Sequence, residues 1–237
     1  MYITSMEPDI RNNIGKDPEI QRLNRKPLSD ADLRRVLGSA LKILKYSELA
    51  AMPSLTQLLP NTTDYCIILY ESALNSGHWV ALLRYRNIFE YFDPYGNIVD
   101  KPLRWVSAAK RKLLKQGEPY LSELLERSGA EWIYNKRAFE KMNATINTCG
   151  HHCAHRIYRL ARDQMDLRDY VELMEELKKA RETTTMSLFR TSLRISISNP
   201  IYSLFSLPGK INILDYIYRY SKSCLTITSI TETLQIS

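Results

Sequence analysis

The sequence is poor in the residues that build several protein classes. Its 237 residues hold four Cys and eight Gly, and no run approaches the 18 apolar residues of a membrane span. The thiols, Cys66, Cys149, Cys153 and Cys224, are too unevenly spaced for a disulfide framework, so reduced cysteines of a cytosolic or nuclear compartment are expected. So little glycine excludes a collagen-like repeat, and 44% hydrophobic residues exclude a disordered chain. Residues 1–16 lack the apolar centre of a signal peptide, which points to a soluble, unsecreted protein with no membrane partner.

What is present is an excess of positive charge. Lys and Arg number 33 against 26 Asp and Glu, a net +7, which favours polyanions nearby without naming one. Residues 1–26 are polar and aperiodic and read as an N-terminal arm. From 27 to 185 the pattern is that of one domain. Ser29 and Asp32 mark a helix start, and a short helix over 54–59 stops at Pro60. Three strands follow at 64–71, 78–85 and 88–92, the last two joined by Arg86-Asn87. Helices are expected over 102–116 and 119–127, a strand over 130–134, and helices over 149–163 and 165–181. The class is therefore α+β, a sheet between helical segments. Residues 186–237, rich in Ser, Thr, Ile and Tyr, form a C-terminal extension to which no role is assigned.

The chemistry-bearing residues are few. Of four histidines, His151, His152 and His155 surround two cysteines in Cys149-Gly150-His151-His152-Cys153-Ala154-His155. A structural zinc site needs a second ligand pair that the chain does not offer. On a helix, the pairs 149/153 and 151/155 also diverge by about 200°, so no metal or other cofactor is assigned. Cys153 and one histidine read better as residues that pack or face solvent on an amphipathic helix. Cys149 differs, because it opens the helix after a polar loop and precedes Gly150. Unsatisfied N–H groups and the helix dipole at that position stabilise a thiolate and face an oxyanion. Position alone fits a nucleophile and an inert buried cysteine equally.

A nucleophile needs an imidazole and a carboxylate to orient it. His78 begins one strand and Asp93 ends the next. Pairing about Arg86-Asn87 brings the two to the same end of a hairpin, within about one residue per strand, an offset that a bulge would absorb. Trp79 should point to the other face and pack, while Tyr95 and Gly96 complete the turn that holds Asp93.

The order Gly77-His78-Trp79, Phe92-Asp93-Pro94-Tyr95-Gly96, then Thr148-Cys149-Gly150 opening a helix resembles the adenovirus-type maturation cysteine proteases of double-stranded DNA viruses, virophages and Maverick-like elements, relatives of the SUMO proteases. The resemblance covers roughly residues 60–165. It implies a papain-like fold in circularly rearranged topology, with a central, mostly antiparallel sheet flanked by helices. It also implies His78 as general base, Asp93 as its orienter and Cys149 as nucleophile. The family's oxyanion Gln has its nearest equivalent in Asn143, with Asn147 a weaker one.

The implied activity is a cysteine endopeptidase cleaving capsid or other structural precursor proteins during particle maturation, in the virion and the host nucleus or cytoplasmic virus factory. Relatives use DNA and an activating peptide, and Lys110, Arg111, Lys112 and Lys115 are compatible with DNA contact. Two alternatives stand beside it: a SUMO or ubiquitin-like isopeptidase, and a non-enzymatic basic protein bound to nucleic acid or capsid.

Overall fold

The computed structural model describes residues 27–139 and 147–183, with side chains in the last helix as far as Glu176. The chain divides into two units. One is Pro27–Glu175, to which the following account belongs; of the other, which joins Met1–Lys26 to Glu176–Ser237, only 176–183 are described. The arm at 1–26 and the extension at 186–237 lie outside the described residues.

Helix α1 (Asp30–Leu37) starts on a reciprocal capping box. Ser29 Oγ accepts from the Asp32 N–H, and the Asp32 carboxylate accepts from the Ser29 N–H, each at 3.2 Å. After β1 (Lys42–Lys45) come a 3₁₀ turn (Tyr46–Ala51) and α2 (Leu55–Leu58), capped by Ser54. Strands β2 (Asp64–Ala73), β3 (Ser76–Tyr85) and β4 (Ile88–Phe92) follow as the expected meander. Arg86 and Asn87, at φ 49° and 64°, are both left-handed, as the tightest hairpin turns require.

The helix expected over 102–116 is two pieces, a 3₁₀ turn (Lys101–Trp105) and α3 (Ala108–Leu113). Val106 is extended and Ser107 caps the Lys110 N–H at 3.4 Å, so the chain restarts its helix there. Then come α4 (Tyr120–Ser128), β5 (Trp132–Tyr134), α5 (Cys149–Asp163) and α6 (Leu167–Thr183).

The five strands lie in the order β1-β2-β3-β4-β5. The sheet is mixed: β2–β3 and β3–β4, the longer pairings, are antiparallel, while β1–β2 and β4–β5 are parallel. Two-residue turns can only reverse a strand, whereas the long connections 46–63 and 93–131 carry the chain back to the same end.

Helices cover both faces. Ile68, Val80, Leu82 and Tyr91 pack on one face with Tyr46, Leu55, Leu103 and Leu124. On the other face, Trp79, Glu90 and Phe92 meet Cys153, Arg156 and Tyr170. Arg156 and Glu90, both fully buried, form a bidentate pair at 2.8 and 2.6 Å, and Tyr85 Oη donates to the same carboxylate at 2.7 Å. This pair fastens α5 to the sheet, so the helix that opens with Cys149 has a fixed placement.

Candidate active site

The site lies where the start of β3, the turn after β4 and the first turn of α5 meet. Strand β3 is set close to β2 by Gly77, where a Cβ would fall 1.9 Å from the Tyr70 carbonyl oxygen, so no larger residue fits without a backbone shift. His78 follows. The register Ala81↔Phe92, extended by one residue, sets Asp93 opposite Val80. Asp93 and His78 are thus diagonal neighbours on one face, and no bulge between β3 and β4 is needed to unite them.

His78 Nε2 lies 2.9 Å from Asp93 Oδ1. The same oxygen accepts from the Tyr95 N–H at 2.8 Å, and Oδ2 accepts from Asn97 Nδ2 at 3.1 Å, so three donors satisfy a carboxylate with no exposed surface. Asn135, just past β5, holds the backbone of Asp93 from both sides. Its Oδ1 accepts from the Asp93 N–H at 2.8 Å and its Nδ2 donates to the Asp93 carbonyl. The side-chain amide thereby extends the β4–β5 ladder beyond its last paired residues. Gln116 makes the same two contacts with Glu71 of β2, past Leu69 where β1 stops.

With Nε2 engaged by the carboxylate, Nδ1 is the nitrogen left for the thiol of Cys149. Burial pushes the His78 imidazole down, but hydrogen bonds to Asp93 and Cys149, with the charges of both, outweigh it and lift the ring from 6.5 to about 10. The arrangement thus favours the protonated ring near pH 7. Cys149, the first residue of α5, is buried at the positive end of a 15-residue helix. The structure therefore brings His78, Asp93 and Cys149 together.

His78 and Cys149 line one cavity of about 160 Å³ with Tyr95, Trp105, Val106 and Asn147. The Tyr95 ring stacks on His78 at 4.7 Å and 21°, and the Trp105 ring meets it edge-on at 5.2 Å and 65°. Trp105 keeps 41% of its surface exposed and forms the open wall. Its segment is tied to the sheet through Asp100, which accepts from Tyr46 Oη and Tyr70 Oη at 2.8 and 2.9 Å.

Asn143 lies outside the described residues, while Asn147 lines the cavity. Trp79 packs as expected, its Nε1 donating to the Leu28 carbonyl at 3.0 Å beside Gly150. Cys153 Sγ donates to the Trp79 carbonyl at 3.4 Å, and His155 Nδ1 is 3.1 Å from Tyr170 Oη. Burial lowers His152 to about 4 and His155 to about 3, so both are neutral near pH 7. Among the described residues no group of three or more His, Cys, Asp or Glu is placed to hold a metal ion, and no helix is long and apolar enough to cross a membrane. Tyr95 does more than complete a turn, and Trp105, Asn97, Asn135 and Gln116 were not singled out from the sequence. Of these, only Asn97, four residues after Asp93, has a local signal.

A thiol opening a helix against a buried His–Asp pair defines a candidate nucleophilic site on an α+β fold. No known family model matches the chain. Over 157 residues it is 30% identical to the "Uncharacterized protein V9" of Sputnik virophage, an alignment covering 66% of this chain and 89% of that protein. The chain belongs to the family of that virophage protein, which gives it a viral context.

Proposed function

We propose that the chain is a cysteine endopeptidase that cleaves structural precursor proteins of a virus or virus-like element, within the particle or the infected cell. The observation that carries this reading is the imidazole of His78, held by a buried carboxylate on one nitrogen and offered to the thiol of Cys149 in a shared cavity. In this reading His78 Nδ1 already holds the Cys149 proton, Sγ attacks the substrate carbonyl carbon, and N–H groups of the first turn of α5 receive the oxyanion. Asn143 or Asn147 supplies the side-chain donor. His78 then protonates the departing amine, leaving a thioester on Cys149. Water, deprotonated by His78, attacks that thioester and releases the new carboxyl terminus with the thiol restored. The fold, on this proposal, is the papain-like one in rearranged chain order, as in the adenovirus-type proteases.

The test is to incubate wild type and Cys149→Ala with the structural proteins of the same genetic element and to identify new termini by mass spectrometry. Termini that appear with wild type alone are expected. Their absence, with cleavage instead of a Gly-Gly fusion of a ubiquitin-like protein, would replace this reading by the isopeptidase one.

A further inference from the structure

The positive charge of the chain is concentrated beside the cavity. Residues 101–117 contain six of the 33 Lys and Arg (Lys101, Arg104, Lys110, Arg111, Lys112, Lys115) and none of the 26 Asp and Glu, so this segment carries +6 and the other 220 residues +1. The same segment walls the cavity through Pro102, Leu103, Trp105, Val106 and Gln116. Each of the six cations is within five residues of one of these along the chain. All but Arg111 are exposed, and among the described residues none of the six is in an ion pair. Among the described residues, none that lines the cavity is acidic. Leu113, 80% exposed, stands among these cations.

We infer that residues 101–117 select substrate polypeptides with Asp or Glu close to the cleaved bond. The inference rests on the peptidase reading above. Whatever chain runs past this wall is the one whose carbonyl reaches Cys149, so the polyanion the segment fits is an acidic stretch of polypeptide and not a nucleic acid. Six cations with no ion-pair partner among the described residues, set around the cleft, attract such a chain and repel a basic one.

The experiment uses the full chain, a proteome-derived peptide library, and the double variant Lys110→Glu with Lys112→Glu. Both side chains are exposed, and the first exchange puts a carboxylate three residues after the Ser107 cap, where it favours the helix. Wild type is expected to cut bonds flanked by Asp and Glu. Its kcat/KM on a cleaved peptide should exceed that on the Asn/Gln version about tenfold at low salt, and the ratio should shrink at high salt and vanish in the double variant. Cleavage without charge preference overturns this inference and leaves the peptidase reading standing. So does a double variant that keeps the preference but loses binding to a 30-base-pair DNA duplex. If no peptide is cut and iodoacetamide modifies Cys149 no faster than Cys66, the peptidase reading falls, and this inference with it.

Discussion

Replacing Asp93 by Asn removes one negative charge from the site and little else. The amide oxygen still accepts from His78 and the Tyr95 N–H, and the new NH₂ group faces Asn97, whose own amide can turn to offer its oxygen. The fold should persist. The lift of His78 from 6.5 to about 10 corresponds to about 5 kcal/mol, with little solvent screening because the ring is only 7% exposed. Asp93 and Cys149 supply that lift against the cost of burial, so losing the Asp93 share removes on the order of 2–3 kcal/mol, or about 10²-fold in the protonation equilibrium of the ring. The assay is the rate of Cys149 alkylation by iodoacetamide at pH 7, with the His78 ring titrated by NMR. Both should fall in Asp93→Asn, the rate by about 10²-fold and the midpoint towards 6.5. Because the folded value is the raised one, protonated His78 stabilises the wild type fully below pH 6.5, and that advantage over Asp93→Asn fades as the pH rises through about 10. A folded variant with unchanged rate and midpoint would refute the reasoning.

Gly77→Ala places a Cβ against the Tyr70 backbone oxygen; it should cost about 3 kcal/mol in denaturant melts and abolish rapid alkylation of Cys149, since His78 moves with the strand. Arg156→Met strands the buried Glu90 carboxylate and should cost about 3–5 kcal/mol, and adding Glu90→Leu should recover most of that loss in the same melts. His152 and His155 are depressed by burial to about 4 and about 3, so their contribution is whole above pH 6.5 and lost as the pH falls through those values. His152→Phe should therefore hold its melting temperature to lower pH than wild type, as followed by circular dichroism.

What local signals govern was legible in the sequence. Ser29 with Asp32, the apolar runs 64–71, 78–85 and 88–92, and Cys149 after its polar loop each carry their information within a few residues, and those elements appear close to the expected positions. The hairpin carrying His78 and Asp93 followed from its turn, although the route to contact is a diagonal rather than a bulge. Strand β1 escaped because Lys42–Lys45 is four residues with two lysines, and pairing with β2 is what makes it a strand. Asn135 and Gln116 are invisible in one dimension, since each acts on a backbone at least 42 residues away. Trp105 sits in what reads as one helix over 102–116, and only the extended Val106 and the Ser107 cap free it to face His78.

The imidazole and its carboxylate partner are assembled within a single hairpin, whereas the sulfur arrives 56 positions later, on a helix docked by a buried ion pair. On a ribosome adding about 5–20 residues per second, the imidazole–carboxylate couple can form roughly 3–11 s before the thiol is synthesised. If the chain is the peptidase proposed above, a nascent copy holds an incomplete cutting apparatus until the helix bearing the sulfur has packed, and its newly made neighbours are safe from it for that interval.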